Sequence, residues 1–242
     1  MDIQLKDFVL ESARVDMVDT QRTSTVSQYE LITMLNRAMV HQEKRVYSFV
    51  KRTIDIVCAG MLFAVIAIPL LIVMLAIYMQ DKGNPIFAQE RIGKDGKVFR
   101  MYKLRTMVVN AEARREEIRE VTDNKTLLSK SENDPRITKL GAFLRKTSID
   151  ELPQLINVIK GDMTIIGPRP LVPREHEAIC EFVQRDMVKP GLSCYSVLDR
   201  RSRDRYEHWA ILDYKYIQER STIVDLKIML KTFWVSISRN NF

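Results

Sequence analysis

The chain has 242 residues, 29% of them charged and 46% hydrophobic, and carries a formal net charge of +7. That balance excludes a wholly disordered chain, and the positive excess points to an anionic partner: nucleic acid, a nucleotide or an acidic membrane surface. Three scattered cysteines and three histidines without metal-ligand spacing exclude a disulfide framework and a histidine-based metal centre.

Residues 1–26 are polar and without period, and read as an arm. Over 27–43, Leu31, Ile32, Leu35, Ala38 and Met39 recur at helical spacing, which predicts an amphipathic helix resting on a membrane or on the domain. Residues 56–80, "IVCAGMLFAVIAIPLLIVMLAIYMQ", then hold no charged side chain. A helix of that length reaches ~37 Å, enough for a bilayer core of about 30 Å. The run starts too far along the chain, and is too long, for a cleaved signal peptide. Pro69 near its middle removes a backbone hydrogen bond and allows either a kinked spanning helix or a helix–break–helix that re-enters one leaflet. Lys44, Arg45, Lys51 and Arg52 precede the run, and Lys82, Arg91, Lys94, Lys97 and Arg100 follow it, as expected if both ends stay inside. Arg52 and Asp55 are spaced to pair on one helical face, or to sit separately in the headgroup layer.

Residues 84–107, "NPIFAQERIGKDGKVFRMYKLRTM", read as a β-hairpin with an Asp-Gly turn. A charged helix with a solvated face follows at 109–122, then a turn at Asn133–Pro135 and helices at 137–146 and 150–160, the latter ending at Gly161. The tail 222–239, "TIVDLKIMLKTFWVSISR", has the spacing of an amphipathic helix on a membrane or a core.

The stretch "TSIDELPQLINVIKGDMTIIGPRP", 147–170, carries the chemistry. Asp150 and Glu151 are adjacent carboxylates. Ser148 to Glu151 fits a capping box, but Asp150 as N-cap is the better local solution, because Pro153 then falls in the first turn. A carboxylate can also attack phosphorus and form an acyl phosphate, given a cation such as Mg²⁺ and basic groups to hold the phosphate charge. Arg145 and Lys146 lie one turn before the dyad, Lys103 and Arg105 alternate on one expected strand, and Arg169 sits between two prolines that stiffen its loop.

The segments "KRTIDIV", "PIFAQERIGKDGKVFRMYKLRTM", "DPRITKLGAFLRKTSIDELPQLINVIKGDMTIIGPRPL" and "VDLKIML" resemble the bacterial sugar transferases known as monotopic phosphoglycosyl transferases, over about residues 48–235. The resemblance implies transfer of a sugar 1-phosphate from a UDP-sugar to undecaprenyl phosphate, with release of UMP, as the first step of a surface glycan. It implies Asp150 as nucleophile and Mg²⁺ neighbour, Glu151 as assistant to the incoming lipid phosphate, and Lys103, Arg105, Arg145 and Arg169 as substrate-binding groups. The expected fold is α+β and mostly helical: an N-terminal arm and helix (1–47), a re-entrant membrane helix broken at Pro69 (48–81), and a catalytic domain (82–242) on the cytoplasmic face of the bacterial inner membrane. Partners are then the UDP-sugar, undecaprenyl phosphate, membrane lipid and, as an open option, a second copy of the chain. The larger relatives carry an additional bundle of spanning helices ahead of the shared part, which is not expected in this chain.

One segment departs from the pattern. After "KPGL", many relatives continue Thr-Gly-Trp-Ala-Gln-Val-Asn-Gly-Arg, whereas residues 193–205 here are "SCYSVLDRRSRDR". That change keeps open an alternative in which the chain is an inactive membrane-bound scaffold or regulator. Nucleic-acid binding, motivated by the net charge and "RRSRDR", has no further support, because basic stripes are common.

Overall fold

The uncharged run folds as part of one helix, α1 (Arg45–Asp81), 37 residues long with Pro69 inside it. The computed structural model describes residues 45–111, 134–178, 185–199 and 206–237. The arm, the helix over 27–43 and, beyond residue 111, the charged helix at 109–122 lie outside the described residues.

Two corrections concern α1. The break expected at Pro69 does not interrupt it: the ring lies on the exposed side, and the helix continues through the one backbone hydrogen bond that proline removes. Nor do Arg52 and Asp55 pair with each other. Arg52 donates to the carbonyls of Val158 (2.6 Å) and Ile159 (2.8 Å), while Asp55 accepts from Thr164 Oγ1 (2.7 Å) and the Ile165 amide (2.9 Å). Both charges find stronger partners across the fold than along their own helix, and the buried Asp55 keeps two hydrogen bonds.

The hairpin forms as read. Strands β1 (Ile86–Ile92) and β2 (Val98–Leu104) pair antiparallel, from Ile86 opposite Leu104 to Ile92 opposite Val98. Asp95 (φ 57°) and Gly96 (φ 71°) both occupy the left-handed region, and the Lys97 amide donates to the Lys94 carbonyl at 3.3 Å. That is the primed turn whose twist matches a hairpin.

Helix α2 (Lys139–Lys146) follows, capped by the Thr138 hydroxyl on the Gly141 amide. Gly141 is required there, because a Cβ would collide with the Thr106 carbonyl. The chain then departs from the expected helix over 150–160. Residues Ile149–Glu151 make a single 3₁₀ turn, and α3 runs only from Gln154 to Lys160, with Pro153 as its N-cap and Gly161 (φ 94°) as its left-handed C-cap. Pro153 has no N–H to donate to the Ile149 carbonyl, so the preceding turn closes with shorter loops instead, Glu151 to Ser148 and Leu152 to Ile149, each at 3.2 Å. Asp150 is therefore within that turn and does not cap a helix, and Ser148 makes no capping bond either.

Beyond α3, β3 (Thr164–Ile166) pairs in parallel with β4 (Gly191–Ser193), a second small sheet that the sequence reading missed. Helices α4 (Pro173–Ala178), α5 (Tyr195–Leu198), α6 (Tyr206–Glu219) and α7 (Thr222–Ile237) complete the described part, which is mostly helical with two short sheets.

The core is organised on α1. One cluster joins Ala59 to Met101, Leu155, Val158 and Met163; a second joins Leu70 and Ile77 to Leu104 and Leu144. The buried positions 55, 59, 70 and 77 trace one face of α1 against the hairpin, α2, α3 and β3. The opposite face exposes apolar side chains along its length, from Val46 and Phe49 through Met61, Val65 and Ile68 to Leu71, Ile72 and Leu75. Among the described residues α1 is the one helix long and apolar enough to cross a membrane.

Candidate active site

Asp150 is buried, on the 3₁₀ turn between α2 and α3, and Glu151 beside it is half-exposed. The turn rests on β2 through Lys103, whose ammonium donates to Glu151 Oε1 at 2.8 Å. Strand β2 is held in turn from its open edge by Asn157 of α3. Its Oδ1 accepts from the Tyr102 amide at 3.0 Å, and its Nδ2 donates to the Arg100 carbonyl at 2.7 Å. A fully buried amide thus replaces a missing strand and fixes β2 beside the dyad.

The loop Gly167–Pro170 forms the other component. Gly167 and Gly191 meet so closely that a Cβ on Gly191 would collide with the Gly167 backbone. The Gly167 amide donates to the Ser193 carbonyl (2.9 Å) and the Gly191 amide to the Pro168 carbonyl (2.8 Å). Two buried arginines then grip consecutive carbonyls: Arg185 Nη2 donates to Arg169 O at 2.8 Å, and Arg91 Nη1 to Pro170 O at 2.9 Å. Arg185 pairs with the fully buried Asp213 at 2.6 Å, and Asp213 accepts from Ser196 Oγ at 2.6 Å. Arg91 also donates to Gln89 Oε1 at 2.7 Å and faces Glu175 at 3.7 Å.

The electrostatics tie the components together. Burial pushes the Arg91 guanidinium down to about 10, helped by repulsion from Arg169 and opposed by Glu175 and Glu151. Burial raises the Asp213 carboxyl above its ordinary value, against the attraction of Arg185 and, more weakly, Arg169. Arg91 and Arg169 therefore share a field with Glu151. Lys103 and Arg91 thus both act on Glu151, and cations gathered at one carboxylate of the dyad suit a phosphate-bearing substrate.

Of the residues read from the sequence, Asp150, Glu151 and Lys103 come together. Arg169 lies in the Gly167–Pro170 loop, where its carbonyl accepts from Arg185. Arg145 reaches the segment that follows β2, its Nε donating to Thr106 Oγ1 at 2.8 Å. Arg105 lies past the end of β2, not on the strand with Lys103, and makes a two-pronged contact with Asp81 at 2.6 Å on each arm, closing the far end of α1. Arg91 and Arg185 were missed. The loop carbonyls that they hold, and the acids Asp213 and Glu175 that face them, lie far off in the sequence, so no local pattern marks either arginine. Of the altered segment, residues 193–199 form the end of β4, α5 and the residue after it; the rest lies outside the described residues.

A profile of the family described as "Bacterial sugar transferase" matches residues 46–239. The chain is 39% identical over 215 residues to the undecaprenyl-phosphate galactose phosphotransferase of Salmonella typhimurium, covering 86% of this chain and 44% of that protein. It is 35% identical over 191 residues to the UDP-glucose:undecaprenyl-phosphate glucose-1-phosphate transferase of Escherichia coli, covering 75% of this chain and 39% of the relative. It is 33% identical over 200 residues to the exopolysaccharide production protein ExoY of Rhizobium meliloti, covering 79% of this chain and 88% of ExoY. The chain thus spans less than half of the first two relatives and most of the third.

Proposed function

The chain belongs to the bacterial sugar transferase family, and we propose that it transfers a sugar 1-phosphate from a UDP-sugar to undecaprenyl phosphate, releasing UMP, to initiate a surface glycan. In this reading an Asp150 oxygen attacks the β-phosphorus of the UDP-sugar. The bond from that phosphorus to the bridging oxygen breaks, and UMP leaves with the electron pair. A phosphate oxygen of undecaprenyl phosphate then attacks the same phosphorus, and the Asp150 carboxylate is the leaving group. Splitting the transfer means that the two anionic substrates never have to occupy the site together.

The observation that carries the reading is the place of Asp150: buried on the 3₁₀ turn, next to a Glu151 held by Lys103, with Arg91, which grips the Pro170 carbonyl of the Arg169 loop, in the field of that same Glu151. Glu151, already in contact with a cation, would orient the incoming lipid phosphate or take its proton. Arg169 would hold the diphosphate. The donor set also fits Mg²⁺: two adjacent carboxylates, one of them engaged by an ammonium. Magnesium is usually held this way, by one or two carboxylates with substrate phosphates and water. Asp150 would hold it, and when bound it would screen the charge between carboxylate and diphosphate.

For the membrane, we propose that the outward face of α1 sits in one leaflet of the inner membrane and that both of its ends return to the cytoplasmic side. Its first turns are tied to α7 through Tyr47 and Lys51 on Asp225 (2.9 and 2.8 Å), and its last residue to Arg105. A helix of this length would reach about 55 Å if straight, far more than a bilayer core, while its other face stays packed on the domain. The exposed apolar face of α7, with Ile223, Leu230, Phe233 and Trp234, supports the same surface.

The test is UMP release from a panel of UDP-sugars with undecaprenyl phosphate in nanodiscs, with labelled sugar phosphate trapped on the protein. Asp150→Asn should abolish both the release and the label. Parent-like turnover of that variant would overturn the covalent mechanism; no turnover by the parent with any sugar would favour a scaffold.

A further inference from the structure

A second cationic cluster lies apart from the dyad, where the end of α3 meets α1, the hairpin tip and the segment before β4. Arg52 Nη2 and Lys189 Nζ face each other across Gly161, at 3.3 and 3.5 Å from the position of a Cβ there. Lys94 of the hairpin turn adds a third charge to this field. Burial pushes the Lys189 ammonium below its ordinary value, and Arg52 and Lys94 add repulsion, against weaker attraction from Asp55 and Asp162.

The nearby carboxylates are committed elsewhere. Asp55 holds Thr164 and Ile165, and Asp162 accepts from Asn157 Nδ2 at 3.2 Å. Arg52 donates to carbonyls of the last turn of α3 and not to a carboxylate. Among the described residues no ion pair joins Lys94 or Lys189 to an acid. A half-buried ammonium crowded by like charges is costly unless an anion shares the site. The cluster also borders the apolar face of α1, because Arg52 lies one turn from the exposed Phe49 and one turn from the exposed Ile56.

We propose that Arg52, Lys94 and Lys189 form a docking site for the phosphate of an anionic membrane lipid, distinct from the substrate site. This rests on the placement of the outward face of α1 in the leaflet. A phosphodiester headgroup at that border would receive all three charges while its acyl chains lay along α1. The lipid, and not a soluble phosphate, is the occupant because the cluster adjoins an apolar surface.

The test uses the full chain in a neutral detergent and reads thermal unfolding against short-chain phosphatidylglycerol, short-chain phosphatidylcholine and inorganic phosphate. The glycerol lipid should raise the transition, and the choline lipid and inorganic phosphate should not. The double variant Lys94→Ala/Lys189→Ala should weaken the apparent affinity by about tenfold or more, at about 1 kcal/mol per lysine near an anionic surface. Without lipid, that variant should unfold no earlier than the parent, since it loses repulsion and not a bond. Equal shifts with both lipids, an equal shift with inorganic phosphate, or an unchanged response of the double variant would each overturn the proposal. UMP release without phosphatidylglycerol is read in parallel, so failure of the lipid site is told apart from failure of the transferase reading.

Discussion

Lys103 Nζ and Glu151 Oε1 are 2.8 Å apart although their residues stand 48 positions apart in the chain. The bond joins the hairpin strand β2 to the 3₁₀ turn of the dyad, and it makes Glu151 an oriented carboxylate while Asp150 stays buried beside it. Glu151→Gln keeps the shape but removes the charge and the basicity. If Glu151 serves the second half of the reaction, the variant still releases about one equivalent of UMP per enzyme in a first burst, then turns over about a hundredfold more slowly. A rapid-quench measurement of UMP reads both phases. Loss of the burst itself would move Glu151 into the first half-reaction.

The grip of Arg185 on the Arg169 carbonyl depends on Asp213. Asp213→Asn leaves a buried guanidinium without its counter-charge, which typically costs about 3–5 kcal/mol. The expected result is a lower chemical-denaturation midpoint together with a raised KM for the UDP-sugar. Replacing both partners, Arg185→Met with Asp213→Leu, should recover much of the stability but not the KM, because the carbonyl of Arg169 is still left without its donor. Recovery of both would show that the pair is only a structural element of the core.

The elements legible in the sequence are those specified by local chemistry. Asp95-Gly96 demands two residues at positive φ, so the hairpin followed from a dipeptide. Gly161 as a left-handed stop ended α3 where expected. The dyad and the Gly-Pro-Arg-Pro loop stand out in the sequence because carboxylates and prolines occur there in an uncommon arrangement. Local rules failed where tertiary partners outcompeted them. Arg52 and Asp55 have good helical spacing for each other, yet α3's last carbonyls and β3's amide offer better geometry. Asp150 was read as a helix cap, but Pro153 interrupts the hydrogen-bond ladder and moves the helix start beyond it. The β3–β4 pair is too short, three residues a strand, to leave an alternating pattern.

Asp134 gives the acid limb of stability a specific origin. Its carboxylate accepts from Arg136 Nε at 2.9 Å and Nη2 at 2.7 Å, while Arg136 Nη1 donates to the Ala111 carbonyl at 3.1 Å. The Arg136 hydrogen bonds hold the Asp134 pKa below its ordinary value of 3.8, against a smaller upward effect of burial. A carboxyl with a depressed folded-state pKa stabilises above its unfolded value, and that stability is lost as pH falls through the folded one. The parent should therefore lose thermal stability more steeply than Asp134→Asn as pH falls below about 4. Parallel melting curves for the two proteins would remove Asp134 from the account.

The two ends of α1 make a sharper test of membrane placement than its hydropathy does. Tyr47 and Lys51 at one end and Asp81 at the other are bonded to the same domain, so both ends are required on one side of the bilayer for these contacts to exist. Single cysteines at Val46 and Gln80, in a background with Cys58, Cys180 and Cys194 replaced, should react with a membrane-impermeant maleimide from the same face of sealed vesicles. A spanning helix would label from opposite faces and would have to break either the Asp225 or the Asp81 contacts. Asp81→Ala separates the alternatives further, since removing Arg105's partner should loosen the far end without changing the face from which it labels.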